Sequence, residues 1–432
     1  MPPPPPSPGL SRKGVAAVII GNWLEFYDFL VFAFFAVMIG RAFFPAGSEI
    51  VQLLSALATF GVGFFTRPLG AAVIGTYADR KGRRAAMTLT LLMMAVASGM
   101  MALTPTYDQI GLAAPIILVV ARLIQGFSCG GEVGPATTYL LESAAPGKRA
   151  AMTAWQAYSQ MMAMISGSLA GVVLTATLTE AQLYAWGWRI PFLLGIVIAP
   201  VAMYIRRQLP ETIEPGETHS SARAVLGDLV GHHAPAVLFG VLVICGGTIA
   251  TYVFNYTTTF AITTLKLSAA FATTLSLTGY LAQTAGVAVG VWSERFGRKR
   301  MLVACRVLFA MMVYPAYTIL TSPETSLAGV LIVNMALQGV FAIGLGTVYA
   351  FLAEAFPKAV RSSGLAILYA LGTTIFGGTT QFVVAWLIDR TGSPMVPAWY
   401  MLAATLASIA GVALLTPHPQ VAQEQRPVTV TA

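Results

Sequence analysis

A charged ten-residue segment occurs twice in the chain, and this duplication limits the possible folds more than any other feature. The first copy, GTYADRKGRR, covers residues 75–84, and the second, GVWSERFGRK, covers residues 290–299. Their acidic residues, Asp79 and Glu294, lie 215 positions apart in a chain of 432 residues. Each copy stands between two long apolar segments. We therefore expect one structural unit to be used twice.

The apolar segments around these copies are too many for a water-soluble protein. Hydrophobic residues make up 56% of the chain and charged residues 10%, whereas soluble proteins carry about 25% charged residues. Apolar runs of about 20 residues recur from end to end, and a helix of that length crosses a bilayer. We therefore predict a polytopic membrane protein. Its net charge of +8 then reflects membrane topology and indicates no nucleic-acid partner.

The apolar pattern predicts an all-α membrane protein with twelve transmembrane helices in two pseudo-symmetric bundles of six. The predicted spans are 15–40, 52–77, 85–104, 113–140, 152–176, 189–206, 235–262, 270–292, 301–320, 326–352, 363–387 and 396–416. Residues 15–206 form the first predicted bundle and residues 235–416 the second, joined by a cytoplasmic linker at 207–234. Residues 1–14 are predicted to be a disordered N-terminus and residues 417–432 a cytoplasmic tail.

The distribution of Lys and Arg predicts the orientation of these spans. With the N-terminus in the cytoplasm, 18 of the 25 basic residues lie in cytoplasmic segments, four in outer loops and three inside spans. Cytoplasmic loops of membrane proteins carry such an excess of Lys and Arg. The bias places both termini inside and requires an even number of spans.

Six charged side chains fall inside the predicted spans: Glu25, Asp28, Arg67, Arg122, Glu132 and Arg306. A charge at the bilayer centre costs at least about 2.5–3.5 kcal/mol on insertion scales, so it is kept for a structural or functional reason. At about 1.5 Å per helical residue, Glu25, Arg67, Glu132 and Gln160 all lie roughly 15–18 Å from the cytoplasmic edge. These groups are therefore expected near one plane at mid-membrane.

Two sets of these charges suggest specific chemistry. Asn22, Glu25 and Asp28 are spaced three apart, so we expect them to share one helical face, where an acid can take up and release a proton. Asp28 is also within side-chain reach of Arg122, as a proton-dependent pair or as a static salt bridge. Arg67 can hold a carboxylate through two parallel hydrogen bonds, or it can simply neutralise Glu25.

The doubled loop resembles the signature that the major facilitator superfamily carries between the second and third helices of each half. In that superfamily, charge clusters at this edge form a cytoplasmic gate. The resemblance extends this role to Gly75, Asp79, Arg80, Gly82, Arg83 and Glu142 in the first half and to Glu294, Gly297, Arg298 and Glu354 in the second. The alternative is that these charges only fix the topology.

Stretches along the whole chain resemble the metabolite–proton symporter family within that superfamily. They are 21–29 (GNWLEFYDF), 64–70 (FFTRPLG), 122–126 (RLIQG), 187–192 (GWRIPF), 207–212 (RQLPET) and 375–379 (IFGGT). Residues 43–49 and 111–115 look most similar to citrate and tricarballylate carriers. The family usually has Trp at the position of Phe26. The short polar tail after Pro417 differs from the long charged extension of osmosensing members.

The resemblance implies a proton symporter in the bacterial inner membrane that imports a di- or tricarboxylate by alternating access. The predicted proton-coupling residues are Glu25, Asp28, Arg122 and Glu132. The predicted substrate contacts are Asn22, Arg67, Gln125, Gln156, Gln160, Tyr256, Gln283 and Gln338. The proton gradient supplies the energy, so no cofactor and no metal are expected, and the expected partners are an organic acid, H⁺ and the lipid bilayer around a monomer.

Three other functions fit the same composition less well. One is a proton symporter of another small metabolite such as shikimate or proline/betaine, and for a zwitterionic or uncharged solute Arg67 would have a structural role. Drug efflux by antiport is a further activity of the superfamily, but the family-wide matches oppose it. An enzyme would need a catalytic set, yet the four histidines fall in the linker and the tail, and no nucleophile–base pair or metal motif lies within the spans.

Overall fold

The computed structural model describes residues 12–45, 47–130, 149–207, 234–356 and 361–415, and the single residues 140 and 231. Within these ranges the chain is helical and contains no strand. The helices are Arg12–Phe34, Ala36–Phe43, Glu49–Phe65, Arg67–Lys81, Arg83–Leu103, Tyr107–Ile110, Ala113–Gly130, Arg149–Thr177, Glu180–Ala185, Ile190–Arg207, Ala234–Asn255, Thr257–Thr263, Ala269–Ser293, Arg298–Thr321, Leu327–Ala353, Arg361–Gly372, Gly378–Thr391 and Val396–Leu414. Short 3-10 turns occur at Gly187–Arg189 and Glu294–Phe296, and a π-helical turn at Thr373–Gly377.

Each of the twelve predicted spans coincides with helix in the described ranges. Nine of these helices are long and apolar enough to cross a membrane, and the bent pair Val18–Phe34 and Ala36–Phe43 would make a tenth. The predicted sixth and eighth spans are the helices Ile190–Arg207 and Ala269–Ser293, with 18 and 25 residues. The all-α membrane fold is therefore confirmed, and the helix positions are consistent with twelve spans.

The two signature loops adopt the same backbone conformation, which explains their glycines. Gly82 has φ +95° and precedes the helix Arg83–Leu103, while Gly297 has φ +97° and precedes the helix Arg298–Thr321. Only glycine adopts such positive φ values without steric strain. The sequence repeat is thus also a structural repeat, in which the two helices begin at equivalent arginines.

The first span of each half is interrupted toward its C-terminal end. The first span bends by 70° at Phe35, between Arg12–Phe34 and Ala36–Phe43. The seventh span is interrupted at Tyr256, between Ala234–Asn255 and Thr257–Thr263.

Glycines bring pairs of spans into backbone contact within each half. A Cβ atom at Gly126 of the fourth span would lie 1.6 Å from the carbonyl oxygen of Gly63 in the second span, and one at Gly130 would lie 1.9 Å from that of Arg67. In the second half, a Cβ at Gly290 would lie 2.2 Å from the Ile343 carbonyl oxygen. Small residues permit such close helix crossings in membranes.

The two halves meet along an aromatic seam. The Tyr252 ring of the seventh span packs on Phe60 and Phe64 of the second span, with centroids 6.2 and 5.3 Å apart. Phe34 meets Tyr280 edge-on at 5.9 Å. This seam encloses the buried arginines of the first half.

Candidate functional site

The second span is interrupted where it enters the interface between the halves. Thr66 separates the helices Glu49–Phe65 and Arg67–Lys81, and its hydroxyl donates to the Leu123 carbonyl of the fourth span at 3.0 Å. Pro68 has no N–H, so the carbonyl four residues earlier, that of Phe64, loses its helical partner. That carbonyl accepts a hydrogen bond from the Thr374 hydroxyl, at 3.2 Å, in the other half. The hydrogen bond from Thr374 to this carbonyl therefore links the two halves.

Arg67 lies directly beside this interruption with its guanidinium inside the protein. Its side chain is 4% exposed. Its Cζ atom lies 4.5 Å from the ring centroid of Phe29 and 4.1 Å from that of Phe64. Glu25, Tyr252 and Cys129 are within electrostatic range of the guanidinium. The charge is therefore held by aromatic faces and by a carboxylate of the same half.

One edge of the Arg67 guanidinium makes no hydrogen bond in the described part of the chain. Its Nε and Nη2 atoms are buried and have no hydrogen-bond partner there. These two N–H groups point in parallel from the same edge, which is the edge that binds a carboxylate through two hydrogen bonds. Within the described ranges, Arg67 thus presents two parallel, unsatisfied donors at the seam between the halves.

Arg122 lies deeper in the first half and is fully buried. Its Nη1 atom donates to the Gln125 side chain at 2.6 Å and to the Phe29 carbonyl at 3.3 Å. The guanidinium also lies over the rings of Phe29, Phe32 and Phe60, at 4.4, 4.6 and 4.8 Å. Gln125, which the sequence predicted as a substrate contact, is thus engaged in holding Arg122.

Asp28 does not pair with Arg122 in this structure. No ion pair joins them among the described residues. Asp28 instead packs against Gly195 of the sixth span, so closely that a Cβ atom on Gly195 would lie 2.0 Å from Asp28 Oδ1. Successive residues of a helix point about 100° apart, so Phe29 reaches Arg122 while Asp28 turns toward the sixth span. The proton-coupling role of both residues stays a prediction.

The structure corrects the expectation that Asn22, Glu25 and Asp28 share one face. Asn22 donates to the Ser159 hydroxyl at 2.5 Å and accepts from the Gln156 amide at 2.9 Å, both on the fifth span. Glu25 is 1% exposed and neighbours Arg67 electrostatically, whereas Asp28 meets the sixth span. A spacing of three residues drifts by about 60° per step, which distributes the three side chains over different neighbours.

The predicted second-half contacts form a chain of buried amides. Gln283 donates to Gln338 at 2.6 Å, Gln338 donates to Asn334 at 2.9 Å, and Asn334 donates to the Leu275 carbonyl at 2.9 Å. Gln283 Oε1 is buried and has no hydrogen-bond partner in the described ranges. Tyr256 is 2% exposed and belongs to an apolar cluster that also contains Leu53 and Leu57 of the second span. Gln160 is half-buried.

The predicted cytoplasmic gate is described only in part. Arg298 and Glu354 form an ion pair in the second half. The backbones of Asp79, Arg80 and Arg83 lie on the helices that flank Gly82, and a Cβ atom at Gly75 would meet no other described atom within 4 Å. Glu294 begins a 3-10 turn. Glu132 and Glu142 lie outside the described residues.

Sequence reasoning missed the contribution of the second half to the Arg67 site. Tyr252, Thr374 and Gly377 pack against Phe64, and a Cβ at Gly377 would lie 3.0 Å from the Phe64 ring. The signal was present in the run IFGGT at residues 375–379, which shares its first three residues with the π-helical turn Thr373–Gly377. Such turns widen a helix and are frequent at functional sites.

Comparison with known proteins shows which family has this architecture. Residues 14–237 match the family described as Sugar (and other) transporter, and residues 273–430 match the Major Facilitator Superfamily. The citrate-proton symporter of Klebsiella pneumoniae is 36% identical over 409 residues, which cover 94% of this chain and 91% of that protein. The chain belongs to the major facilitator superfamily. The family predicted from the doubled loop is therefore confirmed.

Two further relatives fix the fold and widen the range of substrates. The ectoine/proline transporter ProP of Corynebacterium glutamicum is 30% identical over 429 residues, covering 94% of this chain and 83% of that protein. The crystal structure of a D-xylose-proton symporter superposes with a TM-score of 0.76 at 17% identity, covering 92% of this chain and 96% of that chain. As a member of a family of membrane transporters, the chain is a transporter and not an enzyme.

Proposed function

We propose that the chain is a proton-coupled symporter that imports a di- or tricarboxylate, with citrate as its first candidate, across the bacterial inner membrane. The observation that carries this proposal is the buried Nε/Nη2 edge of Arg67, which has no hydrogen-bond partner in the described ranges. The identity to a citrate-proton symporter supports the same substrate class. The protein acts as a monomer in the lipid bilayer.

The neighbours of Arg67 suggest how a proton is coupled to the substrate. Glu25 is buried and shares the electrostatic field of Arg67. When Glu25 is ionised, it competes with a substrate carboxylate for the guanidinium. Protonation of Glu25 removes that competitor and strengthens substrate binding, and substrate binding in turn favours protonation, because the two affinities are linked reciprocally. Proton and carboxylate therefore load together.

The seam between the halves suggests where alternating access acts. Thr374 donates to the Phe64 carbonyl, and Gly61 approaches the Gly378 carbonyl so closely that a Cβ would lie 2.3 Å from it. These contacts join the second and eleventh spans beside the Arg67 site. Rocking of one bundle against the other, which is how transporters of this architecture expose a central site, breaks and remakes them.

The proposal is tested by uptake of radiolabelled citrate into proteoliposomes, with and without an inward proton gradient. We expect gradient-driven uptake that unlabelled tricarboxylates and dicarboxylates compete away, while proline and betaine do not. Arg67→Gln should abolish this uptake, and Arg67→Lys should leave only a small remainder because an ammonium cannot donate two parallel hydrogen bonds. Equal rates of citrate uptake with and without the proton gradient would refute proton coupling.

A matched control separates loss of the site from loss of a positive charge. Arg390→Gln removes an exposed arginine at the outer end of the eleventh span, and it should transport at the wild-type rate. The amounts of each variant in the liposomes are equalised before comparison. Normal citrate uptake by Arg67→Gln would overturn the site assignment.

A second candidate is uptake of a zwitterion such as proline or ectoine, which the 30% identity to an ectoine/proline transporter favours. In that case Arg67 is structural, and labelled proline is taken up in the same assay while citrate is not. The competition panel decides between the two candidates in one experiment.

A further inference from the structure

A third buried arginine lies inside the second bundle. Arg306 belongs to the helix Arg298–Thr321 and is 9% exposed. It follows the start of that helix by eight residues, which is roughly 12 Å along the axis. Its Nη2 atom donates to the Val243 carbonyl of the seventh span at 3.1 Å. The guanidinium therefore points into the bundle and not toward lipid.

The charge of Arg306 is not neutralised by the described part of the protein. No carboxylate of the described residues forms an ion pair with it, and its Nε atom is buried without a hydrogen-bond partner there. A guanidinium does not lose its proton in proteins, and a buried charge without a counter-charge is strongly unfavourable. A bound counter-ion would balance this charge.

A small cavity adjoins the guanidinium at this point. It offers about 20 Å³ of free volume and is lined by Arg306, Gly246, Gly247, Phe309, Phe341 and Thr405, among others. A volume of about 10–15 Å³ is enough for one water molecule, so the cavity has room for one monatomic ion. It is too small for a citrate or for the headgroup of a lipid.

Two adjacent glycines shape this cavity differently. A Cβ at Gly246 would lie 2.6 Å from the Ser408 Cβ and 3.0 Å from Arg306 Nη1, so the backbone approaches the guanidinium as closely as it can. A Cβ at Gly247 would lie 3.9 Å from Arg306 Nη2 and would meet nothing else within 4 Å among the described residues. Gly247 thus keeps open a space beside the charge that a methyl group would fill without a clash.

The internal repeat indicates that the fold does not require a charge at this position. Offset by the 215 residues that separate the signature loops, Arg306 corresponds to Leu91 of the third span. Leu91 is 3% exposed and packs against Leu24 of the first span in an apolar contact. Where the second bundle has Arg306, the first bundle therefore has a leucine in an apolar contact.

We propose that the Arg306 cavity binds a single chloride-sized inorganic anion as a structural counter-ion of the second bundle. The anion accepts a hydrogen bond from Arg306 Nε and fills the space beside Gly247. This site is independent of the substrate site, because it lies within one bundle and is too small for a carboxylic acid. Its occupancy follows the anion concentration of the medium.

The test is thermal unfolding of the purified full-length protein in sodium chloride, sodium bromide or sodium methanesulfonate at equal ionic strength and without substrate. Methanesulfonate is larger than either halide and is not a carboxylate, so it serves as the reference salt. Because a ligand that binds only the folded state raises its stability, chloride and bromide should raise the Tm in a saturable manner relative to methanesulfonate. Equal Tm values in all three salts would overturn the proposal.

Two variants and one control assign the effect to this cavity. Gly247→Ala fills the space and Arg306→Met removes the charge at similar length, so both should lose the chloride-dependent increment. Gly99→Ala, whose Cβ would lie 3.6 Å from Ile196 in the first half, should keep it in full. A chloride increment that persists in Gly247→Ala would place the anion elsewhere and refute the assignment, even if Arg306→Met does not fold.

Discussion

The two halves of the molecule share an architecture but bury different chemical groups. The first half holds Glu25, Asp28, Arg67 and Arg122 inside its bundle, and both arginines lie over aromatic rings. At the corresponding depth the second half has neutral amides that bond to each other, as Gln283 does to Gln338. The halves therefore agree in backbone and differ in charge.

This difference suggests that the two halves have different roles in transport. Charged side chains bind a charged substrate and a proton strongly, but a site with charged side chains from both halves would also release the substrate and the proton slowly. The neutral amides of the second half can close over the substrate and part from it without breaking a buried ion pair, whose rupture costs about 3–5 kcal/mol. Variants that are matched between the halves can break or sharpen this comparison.

The largest expected effect concerns the glycine crossings. In Gly126→Ala the new methyl would lie 1.6 Å from the Gly63 carbonyl oxygen, whereas in Gly339→Ala it would lie 3.6 Å from that of Ala282. Backbone cannot move aside as a side chain does, so we expect Gly126→Ala to lose more than the usual 1–3 kcal/mol of overpacking, about 4 kcal/mol. Yield of folded protein and its Tm measure the difference, and equal values would contradict the crossing geometry.

The next effect compares two glutamines in equivalent networks. Gln125→Ala leaves Arg122 Nη1 with only the long contact to the Phe29 carbonyl, and Gln338→Ala leaves neutral amides unpaired. We expect stability losses of about 3 kcal/mol and about 1–2 kcal/mol respectively, since hydrogen bonds to charged groups contribute more. Because the same side chain is deleted in both variants, the cavity contribution is matched. Denaturation in detergent measures both, and the reverse order would refute the asymmetry.

Phe29 is expected to contribute more than its packing. Its ring has the Arg67 guanidinium 4.5 Å and the Arg122 guanidinium 4.4 Å from its centroid. Phe254 is a matched core ring of the second half, 5.3 Å from Phe341, with no arginine over it in the described ranges. Phe29→Leu should lose about 2 kcal/mol more than Phe254→Leu, the contribution of desolvated cation–π contacts.

The Phe29 substitution also has a functional measurement. If the ring separates two positive charges that belong to substrate and proton chemistry, Phe29→Leu should lower the number of protons moved per citrate. Phe254→Leu should leave that ratio unchanged while it lowers the Tm. The ratio is obtained from citrate accumulation at several fixed pH gradients.

The smallest effect concerns the hydrogen bond between the halves. Thr374→Val removes the donor to the Phe64 carbonyl, whereas Thr379→Val removes a bond within its own helix, to the Ile375 carbonyl. We expect Thr374→Val to disfavour the joined state by about 1 kcal/mol. Spin labels at the exposed positions 112 and 327 report the distance between the halves. The distribution of that distance should broaden in Thr374→Val and stay unchanged in Thr379→Val.

The sequence predicted the elements better than the directions of their side chains. Glycine at 82 and 297 and the apolar runs determine loops and spans almost locally, because positive φ and membrane thickness leave few alternatives. The burial of Glu25 and Arg67 was also expected from their place inside predicted spans. The excess of charge in the first half was visible in the same way.

The partners of the buried groups could not be predicted from the sequence. Whether Asp28 turns toward Arg122 or toward Gly195 depends on a rotation of the helix about its own axis, which packing against other spans decides. The aromatic enclosure of the arginines has the same origin: Phe29, Phe32 and Phe60 look like ordinary core residues in the sequence. Long-range contacts of this kind leave no local pattern.

The carbonyl group that Pro68 releases has a consequence for the opening of the seam. Its oxygen on Phe64 accepts a hydrogen bond from Thr374 while the halves are joined, and another from the Thr66 N–H of its own span. Separation of the halves removes the Thr374 donor, and water that enters the opened seam takes its place, because carbonyl groups in a membrane interior need hydrogen-bond partners. The infrared stretching frequency of a ¹³C-labelled Phe64 carbonyl therefore reports when water enters the transport path.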